Sequence, residues 1–204
     1  MRSDKRNARK AEIEKVAYEL FAKNGFEGTS MLAVAKGAKA SNETMYRWYG
    51  DKKGLFESMV RGNAAEVRDV LEKAVVAQVG ALAALQVVAP VLLGILLGEK
   101  AILLNRAAAS DPTGALGALL SRGGREDVLP MIQSLLAQAK IEGEISVADG
   151  EDAGGLLMHL LVGDSQIRRV IGTMDVPKPD AIADQANRAL AQFLAICAPD
   201  QKGS

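Results

Sequence analysis

Residues 29–53, TSMLAVAKGAKASNETMYRWYGDKK, decide how the chain folds. Met31, Val34, Ala35 and Ala38 fall at helical spacing, and so do Met45 and Tyr49. The pattern predicts two short helices held together from inside, joined by a tight turn at Gly37-Ala38-Lys39-Ala40, with a lysine pair opening a third. Either Thr29 or Ser30 can cap the first of the two, and Ser41 the second. Left outside on the second helix are Asn42, Glu43, Thr44, Tyr46, Arg47 and Trp48. Two aromatics beside an arginine and short hydrogen-bonding side chains suit the phosphates and base edges of a DNA major groove.

On the N-terminal side, Ile13, Val16, Ala17, Leu20 and Phe21 form one apolar stripe of a first helix over residues 7–24, ended at Asn24-Gly25. On the C-terminal side a helix starts near Asp51-Lys52. It carries Leu55, Phe56, Met59, Val60, Ala64, Val67 and Leu71 at helical spacing toward Gln78, a length on the order of 40 Å. Residues 79–98 are almost wholly apolar and match the length of a membrane span, but Gln86, Pro90 and three glycines weaken that reading. A helix buried on all sides explains them as well. Further helices are expected over 99–110, a short stretch up to Ser121, 125–142, 151–171 and 180–197, with Gly123-Gly124 as a flexible joint. The fold class is therefore all-α, with about nine helices. A helix-turn-helix head (1–55) is joined by the long fourth helix to a helical body (56–204).

Charge divides the chain in the same way. Residues 1–62 hold thirteen Lys/Arg against eight Asp/Glu, a net of +5, and residues 63–204 a net of −5. A basic head on an acidic body is expected where only the head meets nucleic acid. The basic run MRSDKRNARK lacks the apolar core of a signal peptide, so a cytoplasmic protein is expected. That run reads either as a solvated tail or as an arm adding phosphate attraction. One cysteine, Cys197, and one histidine, His159, allow no disulfide, thiol metal cluster or obvious catalytic triad. Neither an enzyme nor a cofactor or metal is expected.

From Ile13 to Phe56 the sequence resembles the DNA-binding domain of TetR-family transcriptional regulators, through ELFAKNGFEGTSM, AVAKGAKAS and TMYRWYGDKKGLF. The resemblance implies DNA-backbone contacts by Ser30, Tyr46, Trp48 and Lys52, with Thr29 and Ser41 at the helix starts beside them. Side-chain chemistry adds Asn42, Thr44 and Arg47 as base readers and Lys39 as an outlying candidate. Glu43 either accepts from cytosine or steadies its own helix, and Trp48 either faces DNA or lids the small core. The family usually places glycine where Lys39 stands and a larger aliphatic at Ala40. A positive φ at Lys39 would carry strain of about 1 kcal/mol.

The resemblance also implies a homodimer on a pseudo-palindromic operator, released by a small-molecule effector. The expected dimer surface is Leu156, Leu157, Leu160, Leu161, Ile167 and Ile171 with Ile182, Ala186, Leu190, Phe193 and Leu194, unless these stripes face the monomer core. Polar residues within apolar helices, Gln86, Asn105 and His159, are the candidate effector contacts. With so few aromatics, a hydrophobic, aliphatic effector is favoured over a planar one. The alternative function is a dimeric DNA-binding regulator with no effector.

Overall fold

The computed structural model describes residues 2–76, 80–148 and 151–199, and among these there is no strand. The head is α1 (Arg2–Asn24), α2 (Met31–Gly37) and α3 (Asn42–Tyr49), followed by the long α4 (Lys52–Val76). The body adds α5 (Ala81–Leu97), α6 (Glu99–Ser110), α7 (Ala115–Leu120), a π-helical turn (Ser121–Arg125), α8 (Glu126–Ile141), α9 (Ala153–Val162), α10 (Ser165–Ile171) and α11 (Pro179–Ile196). The basic N-terminal run continues α1 from Arg2 onward, instead of forming a separate arm.

Two hydrophobic cores meet on α4. Ile13, Ala17 and Phe21 of α1 close over Val34, Ala35, Met45 and Tyr49, with Leu55, Phe56, Met59 and Val60 beneath. Phe26 stacks between Phe21 and Phe56, at ring-centroid distances of 5.3 and 5.7 Å. Leu104 and Ala107 of α6 and Leu116 of α7 belong to this same core, so the head is packed directly onto the body. Further along, α4 turns Ala64, Val67 and Leu71 into the second core, among Leu85, Val88, Leu93, Ile132, Leu136, Leu161 and Phe193.

Two expectations fail at glycine. The single helix expected over 151–171 breaks into α9 and α10 at Gly163, whose φ of 50° and ψ of −133° lie in a region open to glycine. Apolar periodicity continues on both sides of that break and conceals it. Gly123-Gly124 is no flexible joint but part of a helical turn, and Gly123 is buried there. A Cβ on Gly123 would lie 3.1 Å from Val60 Cγ1 and 3.2 Å from Arg61 Cγ, so glycine serves close packing of this turn on α4.

Residues 81–97 form a helix packed against α4, α8 and α11, not buried on all sides, since Ala83, Gln86 and Val87 are exposed. Among the described residues no single helix is long and apolar enough to cross a membrane. Taken together, α5 and α6 are apolar enough, but they bend by 53° between them.

Candidate nucleic-acid interface and body cavity

The head's turn is built around one strained residue. Lys39 has φ of 50°, the only positive φ outside glycine among the described residues. Backbone bonds from Lys39 N to Lys36 O (3.2 Å) and Ala40 N to Ala35 O (2.9 Å) close the end of α2. Arg9 reaches across from α1, and its Nη2 donates to the carbonyls of Ala38 (2.7 Å) and Lys39 (2.8 Å). The guanidinium therefore ties the first helix to the turn.

Beyond the turn, Ser41 Oγ accepts from Thr44 N (3.1 Å) and donates to Thr44 Oγ1 (2.9 Å), capping α3. Ser30 Oγ caps α2 in the same way, accepting from Ala33 N at 3.1 Å. With Met45 and Tyr49 turned into the core, α3 presents Asn42, Glu43, Tyr46 and Arg47 to solvent, and Thr44 stands half-buried beside them. Glu43 lies 3.5 Å from Arg47 one turn on, which suits its role in steadying the helix. Trp48 is half-buried, packed on the head core, with the Arg6 guanidinium 5.6 Å from its ring centroid. It is both lid and partly open face.

Two residues expected at the surface are otherwise engaged. Thr29 is 2% exposed, and its hydroxyl donates to the carbonyls of Gly25 (2.8 Å) and Leu20 (3.2 Å) at the end of α1. Its hydroxyl serves the preceding helix, while that of Ser30 serves the following one. Lys52 donates to Phe26 O at 2.9 Å and lies 4.3 Å from the Phe26 ring centroid, with the Glu27 carboxylate at 3.7 Å. The ammonium thus pins the loop before α2 to the start of α4. A shallow hollow beside it is lined by Ser30, Met31, Tyr46 and Lys52, with Glu27 and Asp51 at its edge.

Between head and body lies a small polar cluster. Ser58 Oγ of α4 donates to Glu14 Oε1 of α1 at 2.7 Å, and Tyr18 donates to the Met59 carbonyl at 3.2 Å. Lys100 of α6 lies 5.6 Å from the Tyr18 ring centroid. Burial pushes the Glu14 carboxyl above its ordinary value of 4.5, opposed by the Ser58 hydrogen bond and by Lys10 and Lys100. Burial, with Glu14 nearby, also raises both the Tyr18 and Tyr49 phenols.

The body encloses a cavity of about 480 Å³ whose walls come from α4 to α10. Val67, Leu92, Leu96, Leu104, Val128 and Ile132 supply most of its apolar surface. Asn105 and His159 line it as expected. Gln86 does not: it sits on the solvent face of α5, because Leu85, Val88 and Ala89 take the buried side. Sequence reasoning missed Asn63, Ser121, Arg125 and Gln166. Arg125 and Ser121 belong to the π turn, which no periodicity marks.

The expected dimer stripe lies mostly inside one chain. Leu157, Leu161, Leu190 and Phe193 are each at most 5% exposed, because α11 packs on α5 and α9 and the stripe fills that junction. Ile182 and Leu194 are half-buried at its edge. Of the expected stripe Ile167 and Ile171 are exposed, and Val176 and Ile196 are exposed beside them.

Residues 13–59 match the family model of bacterial regulatory proteins of the tetR family. Residues 83–198 match that of the AefR-like transcriptional repressor C-terminal domain. Comparison with curated protein sequences finds no match. Among solved structures, a protein assigned to the TetR family from Mesorhizobium loti MAFF303099 is similar, with 26% identity and a TM-score of 0.74 over 93% of this chain and 96% of that one. A TetR transcriptional regulator from Agrobacterium tumefaciens shares the fold at 23% identity and TM-score 0.73, over 95% of this chain and 96% of that one. So does FadR from Bacillus subtilis, solved in complex with stearoyl-CoA, at 16% identity and TM-score 0.69, over 91% of this chain and 97% of that one.

Proposed function

The chain belongs to the TetR family of bacterial transcriptional regulators, a family of DNA-binding proteins and not of enzymes, and from that premise we propose that it is an effector-released repressor. It binds a pseudo-palindromic operator in the cytoplasm as a homodimer, and a small hydrophobic molecule in the body cavity releases it. Residues 1–55 read DNA, and residues 56–204 bind the effector and pair the chains. The observation that carries the reading is α4. One end backs the recognition helix through Leu55 and Phe56, and Val60, Ala64 and Val67 line the cavity.

Asn42, Thr44 and Arg47 would meet base edges. Ser30, Ser41, Tyr46 and Trp48 would hold the backbone on either side, with Lys39 adding a cation at the turn. Lys52 contributes by fixing the loop under Ser30 and by its charge at the edge of the hollow. The pairing surface is supported by the exposed Ile167, Ile171, Val176 and Ile196, on and around the helices where the dimer was expected. Effector binding and DNA binding would oppose each other through the head-to-body packing at Leu104, Ala107 and Leu116.

A gel-shift titration on the DNA upstream of its own gene tests the reading. The expected result is a saturable shift on that fragment, reversed by at least one of a panel of hydrophobic compounds. A Met158→Trp variant, which places an indole in the cavity, keeps the shift and loses the reversal. No preference for the fragment over random DNA would remove the operator reading. A shift that no compound reverses would leave a dimeric regulator without an effector.

A further inference from the structure

The polar groups around the cavity fall into two sets. Three of them are already spent: Asn105 Nδ2 donates to Ala101 O at 2.9 Å, Gln166 Nε2 to Leu96 O at 3.2 Å, and Ser121 Oγ to Glu126 Oε1 at 2.9 Å. The first stays within α6, the second ties α10 to α5, and the third joins the π turn to α8. Arg125, His159 and Asn63 differ; Asn63 is a neutral amide whose side chain makes no hydrogen bond among the described residues. Arg125 is the only permanently charged side chain lining the cavity, and it makes no hydrogen bond or ion pair among the described residues. His159 Nδ1 lies 2.7 Å from the Gly155 carbonyl oxygen, which can only accept, so Nδ1 carries the hydrogen. Its Nε2 is left without a protein partner among the described residues.

Arg125 and His159 sit on neighbouring elements. A Cβ on Gly154 would lie 3.1 Å from Gln133 Cγ and 3.4 Å from Leu129 Cδ1, so the start of α9 rests against α8. One turn on from Gly155 along α9 stands His159, and one turn back from Leu129 stands Arg125, the last residue of the π turn that leads into α8. Both line the cavity and both are exposed, which places them at its mouth. Most of the remaining wall is Leu, Val, Ile, Ala and Met, interrupted by Asn63, Asn105, Ser121 and Gln166, and it contains no Phe, Tyr or Trp.

We propose that the effector is an anionic amphiphile, with a single aliphatic chain in the cavity and a carboxylate or phosphate head held at the mouth by Arg125 and His159. This rests on the cavity reading given above and names the chemistry that the cavity selects. An unpartnered guanidinium offers two parallel donors to such a head, and His159 Nε2 can add a third when protonated. An interior without rings gives a planar ligand nothing to stack on, while a flexible chain gains from each methylene it buries.

The test measures binding of decanoate, decyl phosphate and decan-1-ol to the full-length protein by calorimetry, in wild type, Arg125→Gln and Arg122→Gln. Arg122 lies on the same π turn, is exposed and does not line the cavity, so its variant removes an equal charge beside the site. The expected result is that the anions bind at least tenfold more tightly than the alcohol. Arg125→Gln weakens the anions by about ten- to hundredfold and leaves the alcohol unchanged, as loss of a charge-assisted hydrogen bond implies. Arg122→Gln changes none of the three. The tighter of the two anions identifies the head as carboxylate or phosphate. Equal binding of alcohol and anions, indifferent to Arg125→Gln, overturns the anionic head and leaves the cavity reading standing. If none of the three binds, the inference also falls, and the gel-shift panel alone decides the cavity reading.

Discussion

The head and the body solve opposite packing problems with the same kind of helix. In the head, α1 and the two short helices α2 and α3 close over a solid core of Phe21, Phe26, Phe56 and Met45, and polar groups at the helix ends are satisfied locally. In the body, largely aliphatic helices leave about 480 Å³ unfilled. A filled core holds one geometry against deformation, whereas a hollow one can change shape when it is occupied. Reading DNA needs the first property, and responding to a ligand needs the second.

The largest effect should come from hollowing the head. Phe56 is 0% exposed and packs edge-on against Phe26, at 5.7 Å between centroids. Phe56→Ala should cost about 3–5 kcal/mol in chemical denaturation. Gel shifts under conditions where the variant is still folded should show weaker operator binding as well, because Met45 and Tyr49 lose their backing. Phe193→Ala, at an equally buried position in the body, should cost a similar amount of stability and leave the operator affinity of the folded protein unchanged. Equal effects of both on affinity would break the comparison.

Next comes the DNA face. Arg47 is exposed, and its one ion pair, to Glu43 at 3.5 Å, is exposed too, so Arg47→Ala should shift stability by less than about 0.5 kcal/mol. If Arg47 reads guanine, operator affinity should fall by about 1–3 kcal/mol, measured by anisotropy at fixed salt, with relaxed preference at one base position. A uniform loss across all sequences would instead make Arg47 a phosphate contact.

The contrast between the two regions also explains what could be read from the sequence. Head residues carry local instructions: Ser30 and Ser41 cap, Asn24-Gly25 stops, and Met45 and Tyr49 can face only inward on so short a helix. A positive φ at Lys39 was legible only as a condition, through the glycine that the resembled family places there, and the turn adopts it. Thr29 was misread because two adjacent hydroxyls can each cap, and only the packed chain shows that Thr29 bonds backward to Gly25. In the body, aliphatic periodicity identifies a helix and its buried side, but not the neighbour that side meets. Leu157, Leu161, Leu190 and Phe193 therefore read equally well as dimer or core, and three-dimensional packing puts them in the core. Arg125 was invisible for a related reason, since the first residue of an expected helix shows no side that it must face until the π turn brings it to the cavity.

A smaller effect should follow at the turn. Lys39→Gly removes the side chain from a left-handed position and should relieve up to about 1 kcal/mol of strain, raising the melting temperature by about 2–4 °C. The carbonyls that Arg9 grips are unchanged by the substitution. If the Lys39 ammonium also meets a phosphate, the slope of log affinity against log salt should fall by about one in the same variant. Higher stability with an unchanged slope would make Lys39 a tolerated residue at the turn and not a DNA contact.

The smallest expected effect lies where the solid and hollow regions touch. Glu14 has its carboxyl raised above 4.5 by burial, so folding favours its protonated form. The stability this contributes is fully present below the unfolded value of 4.5, and it is lost as pH rises from there through the higher folded value. Glu14→Gln keeps an oxygen to accept from Ser58 Oγ and removes the buried charge. The variant should therefore melt at or above the wild-type temperature at pH 7 and lose part of the wild type's decline on the alkaline side of 4.5. Melting curves taken across that range check the sign. A variant that melts lower at pH 7 would mean that Lys10 and Lys100 hold the Glu14 charge more firmly than burial opposes it. The α1–α4–α6 junction would then be an ionic clasp between head and body, and the separation of a rigid reader from a deformable sensor would run through charge as well as packing.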